Sequence, residues 1–146
     1  MHIRRAILEA LRTQLKTLGY AGVWIQRVAP TRNAWPCITL YAEEEGIQTI
    51  TGEVDQYPIV PRSQTRTISV PVNVWIKSTG DPEKVESDMD DASVAVEAVI
   101  VNTFSAADVL LVATDFKVVE DEPEINIVTL TYHISYYAEE QNPTIP

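Results

Sequence analysis

Between residues 3 and 18 the apolar side chains Ile3, Ala6, Ile7, Ala10, Leu11, Leu15 and Leu18 recur every three or four positions, and Arg4, Arg5, Glu9, Arg12 and Lys16 lie between them. That spacing predicts an amphipathic helix with a stripe wide enough to cover a sheet. Gly19 and Gly22 are the expected stop. The period then shortens. "VWIQRV" at 23–28 and "CITLYA" at 37–42 read as two short strands, joined by "APTRNAWP" with Pro30 and Pro36 as breakers. In the second, Ile38 and Leu40 are expected to face the helices, with Cys37 and Tyr41 on the other side.

The clearest strand is "RTISVPVNVWIKS", where Ile68, Val70, Val72, Val74 and Ile76 alternate with Thr67, Ser69, Pro71, Asn73, Trp75 and Lys77. Period two with one apolar side predicts a strand buried on one face. Pro71 has no N–H to give, which predicts a local edge or bulge there. "TGDP" ends the strand. Asp81 suits an N-cap, Pro82 the first helical position, and Glu83 and Glu86 the positive end of a helix. That helix is expected to bury Val85, Met89, Ala92, Val96, Val99 and Ile100. "VLLVATDFKVVED" and "INIVTLTYHISYYA" follow as two more strands, with Glu122, Pro123 and Glu124 as the turn. On the last strand Val128, Leu130, Tyr132, Ile134 and Tyr136 share a face.

Residues 43–66 keep neither period. Ile47, Ile50, Val54, Ile59 and Val60 are broken up by Gly46, Gly52, Pro58 and Pro61. A connection of this length inside a compact domain is usually functional or disordered. It reads as a long arm, built as a hairpin extended from the sheet. The expected fold is α+β: one antiparallel or mixed sheet of about five strands, two amphipathic helices on one face, and the arm. Residues 1–138 form a single domain in this reading, and 139–146 an extended polar tail.

Charge narrows the function. The chain of 146 residues carries a net charge of −10, unlike a nucleic-acid binder with clustered Lys and Arg. Residues 1–66 hold 8 basic and 6 acidic side chains, whereas residues 67–146 hold 3 basic and 15 acidic. A basic half and an acidic half suit a head-to-tail contact between subunits, although solvated acidic helices have the same composition. No apolar run is long enough to span a membrane. The first fifteen residues lack the continuous apolar block of a secretion signal.

Candidate chemistry is sparse. Cys37 is the only cysteine, and neither His2 nor His133 belongs to a motif that would set a base beside it. A lone cysteine in a strand is ordinarily a small sheet residue. Of Glu43, Glu44 and Glu45, only alternate members share a side of a strand. "ESDMDDAS" lacks the central Gly and the spacing of an EF-hand loop. No phosphate loop, dinucleotide fingerprint, zinc cluster or nucleophile elbow is present. No enzyme, metal site or cofactor is expected. Trp24, Trp35, Trp75 and Tyr137 are either interface anchors or covered by the arm and the tail.

Taken in order, these segments resemble the tail terminator family of long-tailed bacteriophages, also called minor tail or tail completion proteins. "IRRAILEALRTQL" is similar to the family's opening helix. "WPCITLY" matches its Pro-small-Ile-Thr-aliphatic-Tyr strand at Pro36, Ile38, Thr39, Leu40 and Tyr41. The strand led by Arg66 is similar to the one after the family's mobile arm. "DPEKVESDMDDASVAVEAVI" resembles the helix with a Val-Glu-Ala stretch, here Val96, Glu97 and Ala98, and "LTYHISYYAEE" the closing strand.

The resemblance implies a non-enzymatic virion protein, assembled in the host cytoplasm and placed at the head-proximal end of the tail. It implies a homo-oligomeric ring, a hexamer, that stops tube polymerisation and presents a surface for head joining. The partners implied are the tail tube protein and the head-tail connector, with DNA passing through unbound and no membrane involved. Assembly contacts are expected at Arg4, Arg5, Gly46, Ile47, Ile50, Tyr57, Ile59, Arg62, Arg66, Trp75, Asp88 and Asp91. The alternatives are another ring component of the head-tail joint, such as a stopper or neck protein, and a soluble α+β ligand-binding domain.

Overall fold

The computed structural model describes residues 3–30, 34–49, 63–78, 81–103, 108–119 and 122–139. The chain runs α1 (Ile3–Leu15), β1 (Gly22–Ile25), β2 (Cys37–Leu40), β3 (Glu44–Thr49), β4 (Ser63–Lys77), α2 (Pro82–Thr103), β5 (Val109–Val119) and β6 (Glu122–Glu139). A 3-10 turn at Lys16–Leu18 closes α1, and Gly19 follows it at φ +74. Only glycine takes that left-handed conformation without strain. α2 opens on the expected cap, the N–H of Glu83 donating to the Asp81 carboxylate at 3.1 Å.

The fold is α+β, with two helices against a mixed sheet. Its strands lie in the order β1-β2-β4-β6-β5, and β3 also pairs with β4. β1 and β2 are parallel, whereas every other pair is antiparallel. β2 covers Val72–Trp75 of β4, and β3 covers residues 64–69 of the same strand on the same side. The two short strands therefore share one lane, which makes five lanes from six strands. Pro71 falls in the gap between them, so its missing donor costs no ladder bond on that side. The edge-like setting read from the proline exists within the sheet.

One core joins both helices to one sheet face. Leu11 and Leu15 of α1, Met89, Val96 and Ile100 of α2, and the alternating residues Ile68 to Val74 of β4 and Val128 to Ile134 of β6 are buried together. Ile38 and Leu40 join them from β2, as their alternation predicted. α1 lies beside β1, while α2 lies over β6 and β4.

Three boundaries differ from the sequence reading. β1 ends at Ile25 rather than at residue 28. The root of the arm is ordered into the sheet as β3 and the start of β4, while residues 50–62 lie outside the described residues. Glu122 is not in a turn but pairs with Val119, and β6 begins there. Pro123 is accommodated because it falls in the register shift of the β5–β6 pairing, between Glu122 opposite Val119 and Asn126 opposite Val118, where no ladder bond asks for its N–H.

Candidate assembly surfaces

The parallel pairing of β1 with β2 sets Ile25 beside Leu40. The residues just after each strand therefore meet at one end of the sheet, under the first turns of α1. They form a groove of about 370 Å³ lined by Arg4, Arg5, Leu8, Ile25, Gln26, Arg27, Tyr41 and Ala42. Three arginines and, among the described residues, no carboxylate line it. Arg27 is held in place twice: its Nη2 donates to the Ala42 carbonyl at 2.7 Å, and its guanidinium sits 4.9 Å from the Tyr41 ring centre. A stacked cation of this kind keeps its charge presented outward. On the rim, Arg5 pairs with Glu9 at 2.9 Å across one helical turn.

The first half of α2 carries the opposite sign. Pro82, Glu83, Glu86, Ser87, Asp90 and Asp91 border a shallow concavity on its outer side. Asp88 lies apart from them. It accepts from Lys84 at 3.0 Å and from the Ser78 hydroxyl at 2.9 Å. The hydrogen bonds from Lys84 and then Ser78 hold its carboxyl below the ordinary carboxylate value.

The sheet face away from the helices is polar and aromatic. Trp75 Nε1 donates to Thr39 Oγ1 at 3.0 Å, Thr129 Oγ1 to Asn73 Oδ1 at 2.7 Å, and the Thr67 and Ser135 hydroxyls lie 3.0 Å apart. Trp24 folds its ring back over Gly22. All three tryptophans are half-buried. Cys37 lies on this side and is fully buried, and burial pushes its thiol up to about 11. Its β4 neighbour Trp75 pairs with Ile127, six residues along β6 from His133. That is a strand distance of about 20 Å, far beyond any proton transfer. Among the described residues no group of His, Cys, Asp or Glu is arranged to hold a metal, and no helix is long and apolar enough to cross a membrane.

β5 forms one edge of the sheet and is unusually apolar for that position. Leu110, Phe116 and Val118 are 63%, 48% and 54% exposed. The second half of α2 adds Val94 and Val101, also exposed.

The residues expected to make assembly contacts are spread over these surfaces. Arg4 and Arg5 come together in the groove, and Asp91 lies in the acidic concavity. Gly46 and Ile47 pair with Thr67 and Arg66 at the root of the arm. Arg66 itself is buried, on the helix side of β4 opposite Tyr136. Trp75 and Asp88 are half-buried and bonded within the protomer. Ile50, Tyr57, Ile59 and Arg62 lie outside the described residues. Arg27 and the apolar edge of β5 were not singled out from the sequence, and Tyr41 was read as a strand residue and not as an assembly contact. Arg27 and Tyr41 become partners only through the parallel β1–β2 pairing, which no local pattern announces.

No protein-family model and no curated protein matches the chain. Among solved structures, a chain from the virion of a native gene transfer agent (GTA) particle is similar in fold, with a TM-score of 0.51 and 13% identity. The similarity covers 90% of this chain and 94% of that one. At such identity the likeness is one of fold.

Proposed function

We propose that this chain is a non-enzymatic virion protein of a long-tailed phage, and within that class a tail terminator. It forms a ring, six-membered by its family resemblance, on the head-proximal end of the tail tube. There it ends tube polymerisation and offers the surface on which the head connector docks. The observation that carries the reading is the end-to-end fold likeness to a chain of a GTA virion, joined to the sequence resemblance at Pro36, Ile38, Thr39, Leu40 and Tyr41. The surface is of the kind a ring subunit needs. A cationic groove lies at the β1 end, an acidic helix lies over β4 and β6, and an apolar strand forms the β5 edge. Two unlike faces support head-to-tail contact, which closes into a ring when the rotation allows. A net charge of −10 also suits a ring through which DNA passes without sticking.

The test adds purified protein to growing tail tubes. Tubes are expected to stop lengthening and to carry a ring at one end in electron micrographs. Tubes that grow on unaffected, with a protein that stays monomeric across a wide concentration range, would overturn the proposal. Binding to filled heads and not to tubes would assign the chain to the stopper or neck position instead.

A further inference from the structure

We infer that the cationic groove under α1 seats the acidic outer face of α2 from a second copy of this chain. The contact rests on the ring reading and deepens it by naming which surfaces meet. The groove offers Arg4, Arg5 and Arg27 over an apolar floor that includes Leu8 and Ile25. A guanidinium is the cation best shaped for two-point bonding to a carboxylate. Arg27 is already immobilised by Tyr41 and the Ala42 carbonyl, so little further ordering is needed on binding. The complementary surface is a helix face. Glu83, Glu86, Asp90 and Asp91 span just over two turns of α2, about 12 Å of helix axis.

The groove cannot take the α2 of its own chain. Ala42 closes the groove just past Leu40, which pairs with Val72 of β4. The start of α2 is tied to Ser78 through Asp88. Six residues of strand separate those levels, about 20 Å, and Glu83, Glu86, Asp90 and Asp91 stay exposed although α1 and α2 touch on their shared face of the sheet. Both surfaces are therefore left for another molecule. Their opposite signs make a second copy the natural occupant.

Charge reversal tests this directly. Arg4→Glu with Arg5→Glu gives one variant, whose new acids suit the N-terminus of α1. Glu86→Lys with Asp90→Lys gives the other, at exposed positions of α2. Self-association is followed by analytical ultracentrifugation over a concentration series at low and at physiological salt. Each variant alone is expected to associate at least tenfold more weakly than wild type. An equimolar mixture is expected to regain assembly, with both chains in the same oligomer, because each reversed surface then meets its complement. Variants that assemble as wild type does, as they would if the groove served a free polyanion, overturn the contact and leave the ring reading standing. A mixture that fails to recover overturns it as well. Wild-type protein that never associates overturns the ring reading and the contact together.

Discussion

Gly22 and Trp24 share a face of β1, and the indole lies over the glycine so closely that a methyl group on residue 22 would overlap it. Gly22 therefore does more than end α1, the role its sequence position suggested. It leaves room for a ring that helps cover the polar side of the sheet. Gly22→Ala is expected to displace Trp24, with a loss of about 1–3 kcal/mol in urea unfolding, the usual cost of overpacking, and a red-shifted tryptophan emission. An unchanged spectrum and midpoint would show that the ring does not rest there. Cys37 gives a second check at this scale. Burial raises its thiol from 9.0 to about 11, so at pH 8 the reactive thiolate is scarce as well as inaccessible. A thiol-specific reagent is expected to leave native Cys37 unmodified at pH 8 and to label it readily in urea. Rapid labelling of the native protein would reopen the case for a reactive cysteine.

Among the elements, α2 was the most legible because its signals are local. Asp81, Pro82 and the 3.6-residue period from Val85 to Ile100 specify the cap, the first turn and the buried side with no knowledge of the rest of the chain. The strand alternation of β4 and β6 was equally plain. What could not be read was which strand finds which neighbour. β2 and β3 share a lane only because β4 is long enough to hold both, and the groove exists only because β1 runs parallel to β2. Glu122-Pro123-Glu124 looked like a turn because proline usually punctuates, but the register shift between β5 and β6 removes the demand for its N–H. One element contact is testable by pH. Asp88 is held below its ordinary value of 3.8 by Lys84 and Ser78. Its folded-state pKa is lowered, so its contribution to stability is present above the unfolded value and disappears as pH falls through the folded one. Asp88→Asn is expected to melt at a lower temperature than wild type at pH 7. The gap should close as the solution is acidified below the ordinary carboxylate range. A gap that persists in acid would assign the loss to packing and not to charge.

At the scale of the whole molecule, the sheet order sorts the chemistry to two sides. The β1 end, with α1 and the segment after β1, carries Arg4, Arg5, Arg12, Lys16 and Arg27, whereas α2, over β4 and β6, carries the acids and the β5 edge carries exposed apolar residues. The uneven charge of the sequence thus becomes a polarity across the sheet, since the basic first half builds one edge and the acidic second half the other. An open edge strand with large apolar side chains is costly to leave in water and invites strand addition. Phe116 and Val118 lie opposite Val128 and Asn126 of β6 and stay exposed, beyond the cover of α2. If the proposed ring buries that edge against a neighbouring subunit, it would add apolar contact to the charge pairing. Phe116→Glu puts a charge on that edge at a position 48% exposed in the protomer, so folding should be little affected. The expected outcome is a thermal midpoint within a few degrees of wild type, together with weaker self-association that high salt does not restore. Salt that did restore it would show the new charge acting by repulsion alone. An association constant equal to that of wild type would place β5 outside the subunit contact and leave the electrostatic surfaces to close the ring by themselves.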